Sequence, residues 1–284
     1  MVDARKIFET NPRKSVVSWN ALILGYAENG DAKQALDLFS QMESSSLERS
    51  CRPNRVTYLA ALKACANLAS IERGKSTECL EIGRRIHSQL VESGLELHTF
   101  VASTLIDTYG KCGSMVDARS VFDRMKTQDV VSWSSMILGY AESGRGDTSL
   151  ELLERMRDDG GLRPNGVTFV SILAACGHAG LVDQGRQFFR EMRDVYGIVP
   201  SEEHISCVVD LLCRANRLDE ALEMLECQRP RPGFVTLMGA LGGCRKWGNA
   251  RVARAVFDLI LGLEIPEEDR AAATLLMASV CGEA

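Results

Sequence analysis

The chain has no CxxC pair, no His/Cys cluster at ligand spacing and only four histidines, His87, His98, His178 and His204, in 284 residues. A tetrahedral metal site draws such donors from close spacings, so neither a metal nor any other cofactor is expected. The strings GxxxxGK[ST], GxGxxG and GxSxG are also missing, which removes the usual support for a nucleotide-dependent or hydrolytic enzyme. No apolar run approaches the roughly 18 residues of a membrane span, and no membrane partner is expected. Ten cysteines are scattered singly. Cys65 and Cys176, in the matching contexts ALKACAN and ILAACGH, read as small apolar side chains facing a neighbouring helix, and as reduced thiols. The formal net charge of −5 excludes a generally basic surface. Phosphate binding is driven by counterion release onto Lys and Arg, so any nucleic-acid groove must be local.

What the chain does have is repetition. Val16 to Gly30, VVSWNALILGYAENG, returns at Val130 to Gly144 as VVSWSSMILGYAESG, and Met1 to Ser15 lies over Met115 to Asp129 in the same register. Shorter echoes inside this offset argue for an array of small units rather than a duplicated domain. In such an array each unit buries its face against its neighbours, which predicts a continuous core without a compact domain boundary.

Each unit has the pattern of a helical hairpin. Trp19, Leu22, Ile23 and Tyr26 share one helix face, Gly30 ends the helix, and Ala35, Leu38, Phe39 and Met42 repeat the spacing after Asp31 and Gln34, an N-cap and its partner. The copy runs through Trp133, Met136, Ile137 and Tyr140 to Gly144, then Leu150, Leu153 and Met156. Between them, Leu105, Ile106 and Tyr109 precede Gly113, and Ser114 with Asp117 predicts a capping box before Ala118, Val121, Phe122 and Met125. Further hairpins are expected over Glu203 to Glu226 and Phe234 to Leu263. Arg52-Pro53-Asn54 and Arg163-Pro164-Asn165 close two units, since proline cannot continue a helix. The register makes Trp19 and Trp133 core residues rather than exposed stacking platforms. Two polar stretches, Ser44 to Ser50 and Gly74 to Ile82, break the period and are expected to be surface loops or a helix extension.

These residues resemble a known family. VVSWNALILGYAENG, FVASTLIDTYGKCGSMVDARSVFDRM, GLVDQGRQFFREM and EEHISCVVDLLCRANRLDEALEMLE are similar to the pentatricopeptide repeat family of land plants, and to its subclass with alternating P, L and S motifs and a C-terminal E extension. The likeness covers essentially the whole chain. Residues 1–15 resemble the tail of an S motif, 16–54 a P motif, 55–98 an L motif and 99–129 an S motif. Residues 130–165 resemble a P motif, 166–201 an L motif, 202–233 an S motif and 234–284 an E extension that stops early. Because Met1 to Arg5 already belong to a repeat, upstream sequence is expected to be missing, and the carboxyl end looks cut.

The resemblance implies an all-α, right-handed α-solenoid superhelix of antiparallel helical hairpins. It also implies sequence-specific binding of single-stranded RNA in a mitochondrion or chloroplast, one base per repeat, in the service of C-to-U editing. In the family the fifth and last residues of a motif choose the base. Carried over, Asn20 with Asn54 implies a pyrimidine, Ser103 with Asp129 guanine, and Ser134 with Asn165 adenine. Leu59 with His98, Val170 with Ser201, and Ser206 with Gly233 read poorly. Val17, Val56, Phe100, Val131 and Val167 would sandwich bases, and Lys111 and Arg214 would meet phosphate, whereas Glu28 and Glu142 stand at the same point in the P motifs. A zinc deaminase needs HxE and PCxxC elements, and neither string occurs. The editing chemistry would therefore come in trans from a deaminase-bearing or other editing-factor protein held by residues 234 onward. Two other readings stay open: a helical-repeat adaptor for proteins, and a non-functional fragment of a longer repeat protein.

Overall fold

The computed structural model describes residues 1–11, 14–44, 52–96, 98–227 and 232–282. Among them are sixteen α-helices, one 3₁₀ turn and no strand. In chain order the helices are α1 (Val2–Thr10), α2 (Val16–Glu28), α3 (Ala32–Ser44), α4 (Arg55–Ile71), α5 (Ser76–Glu92), α6 (Thr99–Lys111), α7 (Met115–Arg124) and α8 (Val130–Glu142). They continue as α9 (Gly146–Gly160), α10 (Gly166–Ala179), α11 (Val182–Asp194), α12 (Glu202–Arg214), α13 (Leu218–Cys227), α14 (Phe234–Trp247), α15 (Ala250–Leu261) and α16 (Glu267–Gly282).

Four of the first helices begin at a hydroxyl, amide or carboxylate side chain that caps them. Ser18 N donates to Ser15 Oγ at 3.2 Å and Ser132 N to Asp129 Oδ1 at 2.8 Å. Thr57 N donates to Asn54 Oδ1 at 3.2 Å and Thr168 N to Asn165 Oδ1 at 3.1 Å. In each case the side chain at the third helical residue accepts the cap residue's own N–H, at 3.0 to 3.2 Å, a capping box built with Ser or Thr in place of Glu. The first helices other than α4 end on a residue with positive φ: Gly30, Gly113, Gly144, Gly180 and Gly248, and Asn216 after α12. Glycine adopts that conformation without a Cβ clash, and asparagine is among the few others that tolerate it.

One expectation about local structure is corrected. Ser114 makes no side-chain cap to α7. Its hydroxyl donates instead to the Asp117 carboxylate at 2.7 Å, and that same oxygen is taken by the Arg84 guanidinium at 2.7 Å, so the acid is drawn toward α5 and away from the helix end. Of the two alternatives for the second polar stretch, loop or helix extension, the structure takes the helical one: a 3₁₀ turn, Arg73–Lys75, leads into α5. The first polar stretch lies outside the described residues beyond Ser44.

The structure also corrects the expectation of a chain without compact boundaries. It divides into residues 1–139 and 140–284, and the division falls inside α8. A hairpin array has contacts only between near neighbours, and such a contact pattern separates readily. In the N-terminal half α2 packs on α4 and α4 on α6, with α3, α5 and α7 as their second helices. In the C-terminal half α10 packs on α12 and α12 on α14, while α16 packs on both α14 and α15. First helices thus stand side by side within each half. The side chains between them are those of the sequence pattern, including Trp19, Ile23, Phe39, Ile106 and Phe122 in one half and Phe169, Leu212, Leu241 and Val256 in the other, all buried. Cys65 and Cys176 are fully buried among them, and burial pushes the Cys112, Cys176 and Cys213 thiols up to about 12. No helix among the described residues is long and apolar enough to cross a membrane.

Candidate nucleic-acid interface

The row of first helices carries two kinds of side chain at its amino ends. The second residues of the helices, Val17, Val56, Phe100, Val131 and Val167, are between 44% and 76% exposed. Burying a valine is worth roughly 1.5–3 kcal/mol, so folding alone gives no reason for this apolar series to stand in water. Trp19 and Trp133, two residues further on, are buried instead. Each packs edge-on against the phenylalanine of the preceding hairpin, Phe8 at 4.6 Å and Phe122 at 4.8 Å between ring centroids.

The fifth and last residues of a repeat meet because the last residue is the N-cap of the next first helix. Asn20 Nδ2 donates to Asn54 Oδ1 at 3.1 Å, and Asn20 Oδ1 accepts from Thr57 Oγ1 at 2.6 Å. The Asn54 oxygen is further occupied by the N–H groups of Val56 and Thr57. Asn20 is buried and Asn54 exposed. Among the described residues, Asn54 Nδ2 therefore keeps its two donors for a ligand. Thr57 is a member of this cluster that the sequence reading missed, although a Ser or Thr recurs at the third place of most first helices.

Ser103 and Asp129 form the second pair. The buried Ser103 hydroxyl donates to Thr99 O at 2.9 Å and to Asp129 Oδ1 at 3.1 Å. Since Oδ1 also accepts the Ser132 N–H, Oδ2 is left as the acceptor of the pair. Ser134 is likewise buried and donates to Val130 O at 2.7 Å, while Asn165 is exposed and caps α10. These two lie in different halves of the chain. Leu59 and Val170 are half-buried at the equivalent place and offer no hydrogen-bonding group. Asn20 and Ser103 thus orient the cap residues Asn54 and Asp129.

The two cations expected to meet phosphate are each paired with a carboxylate. Lys111 Nζ is 2.9 Å from Asp107 and Arg214 Nε 2.6 Å from Asp210, each one turn back on its own helix. Lys63 is similarly tied to Glu28 at 2.9 Å. A phosphate at these points competes with a carboxylate already in place. The histidines are also engaged: His87 sits between Tyr109 OH at 2.8 Å and Glu96 at 2.9 Å, and His204 Nε2 lies 2.8 Å from Gly166 O. Among the described residues no three His, Cys, Asp or Glu side chains are grouped to hold a metal ion.

Comparison with known proteins follows this geometry. Residues 14–67 match the model of the PPR repeat family. Residues 100–130, 131–161, 167–195 and 205–227 match the PPR repeat model, so the matched windows together exceed half of the chain. The chain is 40% identical over 281 residues to the pentatricopeptide repeat-containing protein CRR2, chloroplastic, of Arabidopsis thaliana, covering 99% of this chain and 40% of that protein. It is 38% identical over 260 residues to the putative pentatricopeptide repeat-containing protein At3g11460, mitochondrial, also of Arabidopsis thaliana, covering 92% of this chain and 40% of that protein. The chain therefore spans well under half the length of these relatives. In fold it is similar to the crystal structure of the pentatricopeptide repeat protein PPR10 in complex with an 18-nt psaJ RNA element, with a TM-score of 0.73, 22% identity, and coverage of 98% of this chain and 40% of that one. Helical hairpins in solenoid arrangement, repeat-model matches along the array and relatives matched over nearly its full length agree: the chain belongs to the pentatricopeptide repeat family.

Proposed function

We propose that this chain binds single-stranded RNA with one hairpin per base, as the reading segment of a longer organellar protein. The observation that carries the proposal is the pair of cap residues, Asn54 and Asp129, each hydrogen-bonded by a buried fifth-position partner and each followed within two residues by an exposed valine, Val56 and Val131. The oriented atoms match particular base edges. Asn54 presents N–H donors, which suit the O2 acceptor shared by cytosine and uracil. Asp129 presents a carboxylate oxygen, which suits the N1–H and N2–H donors of guanine. Asn165, which the family pattern pairs with Ser134, supplies a carboxamide for adenine. Each fitting contact is worth roughly 1–3 kcal/mol against the wrong base. Val17, Val56, Phe100, Val131 and Val167 would pack on base faces, the aromatic ring of Phe100 most strongly. With the strand running parallel to the chain, the readable core is pyrimidine, any base, guanine, adenine.

Within this reading the hairpins take the P, L and S assignments given above, and residues 234–284 act as an E-like platform for a deaminase supplied in trans. The RNA then positions a cytidine for conversion to uridine in a mitochondrion or chloroplast, the compartments printed in the names of the two relatives. Titration of the purified chain with short RNAs varied at the pyrimidine, guanine and adenine positions, at two salt concentrations, tests the binding. Loss of affinity for each wrong base supports it. Equal affinity for all sequences sinks it, and favours the protein adaptor that the net charge of −5 and the carboxylate-bound Lys111 and Arg214 also fit. For the editing role, organellar transcripts are sequenced after removal of the full-length protein; no cytidine left unconverted would rule the role out.

A further inference from the structure

The exposed apolar series continues past the last hairpin that has a reading pair. Val235, the second residue of α14, is 78% exposed, more than any of the five valine and phenylalanine positions named above. Leu237, Ala240, Leu241 and Cys244 of this helix are buried, and Phe234 and Met238 half-buried. Helix α14 packs on α12 and so stands next in the row of first helices. Gly233 N at its amino end donates to Glu202 Oε1 at 2.9 Å, which fixes α14 to the start of α12. Val235 is therefore presented in the same way as Val167 on α10, but on a hairpin to which no base was assigned.

The other end of α14 differs from its neighbours in charge. Phe234 to Lys246 matches Thr99 to Lys111 and Glu202 to Arg214 residue for residue in length, so Lys246 takes the place of Lys111 and Arg214. Those two cations are bound by Asp107 and Asp210. In α14 the corresponding residue is Gly242, and among the described residues neither Arg245 nor Lys246 has a carboxylate partner. Lys246 Nζ rests 4.9 Å from the Trp247 ring centroid. That ring is anchored by its Nε1–H to Cys213 O at 2.8 Å, so the ammonium is held in place with its charge uncompensated. An exposed apolar side chain at one end of the helix and an uncompensated cation pair at the other complement a base face and its phosphate.

Resting on the RNA reading above, we infer that α14 holds a further nucleotide of the same single strand: Val235 packs on the base and Lys246, with Arg245, takes the phosphate. This nucleotide lies on the 3′ side of the one facing the hairpin of α12. Met238, half-buried at the fifth place of the helix, has only a thioether, a weak acceptor, so the subsite accepts any base. Residues 234 onward then contact RNA themselves, in addition to any protein they hold.

The test uses the whole chain and a series of RNAs that share the readable core and grow one nucleotide at a time at the 3′ end. With the wild-type chain, the nucleotide that reaches α14 tightens binding about fivefold whatever its base, the lower end of what a stacked base contributes. Val235→Glu and the milder Val235→Ala remove or reduce that increment while leaving the shorter RNAs unaffected. Lys246→Ala lowers the slope of log affinity against log salt by about 0.7, the value for one phosphate on a single strand. Val116→Glu, on the exposed face of the second helix α7, serves as the control and leaves both readouts unchanged. If both Val235 variants and the Lys246 variant bind the long RNA as the wild type does, the inference is overturned and the RNA reading stands. If the wild-type chain binds no RNA of the series, both fall together.

Discussion

VVSWNALILGYAENG and VVSWSSMILGYAESG are nearly one sequence, and α2 and α8 show which of its positions the hairpin needs. Both helices are 13 residues long, both bury a tryptophan edge-on against the preceding phenylalanine, and both end on a positive-φ glycine, Gly30 at φ 83° and Gly144 at φ 74°. Four positions differ within the stretch: Asn20 becomes Ser134 and Ala21 becomes Ser135 near the amino end, the buried Leu22 becomes the buried Met136, and Asn29 becomes Ser143 at the carboxyl end. The cap residue also changes from Ser15 to Asp129, each still accepting the N–H of the third helical residue. The packing positions stay apolar while the hydrogen-bonding groups at the reading positions change. A cap needs only an oxygen acceptor, which Ser, Asn and Asp all supply, so the outward chemistry can change without disturbing the helix start.

The largest test of this division is truncation of the packed ring. Trp19→Ala and Trp133→Ala should each cost about 3–5 kcal/mol in urea unfolding, the range for a buried aromatic cut to alanine. A difference between the two above about 1 kcal/mol would break the equivalence of the copies. Next come two glycines in the same register. A Cβ at Gly139 would meet Met115 Sδ at 2.8 Å and the Gly110 backbone at 3.4 Å, whereas a Cβ at Gly25 would meet only the side-chain tip of Met1, at 2.8 Å. Gly139→Ala should therefore destabilise by about 1–2 kcal/mol through crowding. Gly25→Ala should be neutral or stabilising by up to about 1 kcal/mol, because alanine favours the helix and the methionine tip can move. Differential scanning of the two variants separates them.

Smaller effects sharpen the comparison at the caps and turns. Asp129→Ala removes the acceptor for Ser132 N and should cost about 1 kcal/mol of stability in denaturant unfolding, whereas Asp129→Asn keeps an oxygen there and should cost less than about half of that. Asn216 stands at φ 59° where five other first helices have glycine. Asn216→Gly relieves the Cβ at that turn and should raise stability by a few tenths of a kcal/mol, offset in part by the freer unfolded chain. A thermal midpoint that falls instead would show that the Asn216 side chain contributes to the turn.

Much of this scaffold was legible because helix periodicity and turn glycines are local signals. The faces through Trp19, Leu105 and Trp133 and the core role of Cys65 and Cys176 follow from spacing alone. The cluster of Asn20, Asn54 and Thr57 was only half legible, since its third member acts through a contact across two helices. The ion pairs of Lys111 and Arg214 were legible too, since Asp107 and Asp210 stand four residues before them, the spacing at which side chains meet on a helix. Gly74 and the polar run around it left loop and helix extension both open for this stretch, and packing of α5 on α4 and α6 decides for the helix. Helix α16 has no marked apolar face in sequence; its place is set by contacts with α14 and α15.

The most direct measurement is base preference at the third position of the readable core before and after Ser103→Asn with Asp129→Asn, which installs the Asn20 and Asn54 arrangement on α6 and the cap of α8. The account predicts that guanine loses its advantage there and pyrimidines gain one, by roughly tenfold or more for a contact of this kind, while the unfolding midpoint stays within a few degrees of wild type. An unchanged guanine preference, or equal binding of all four bases by both proteins, would contradict the separation of reading from packing.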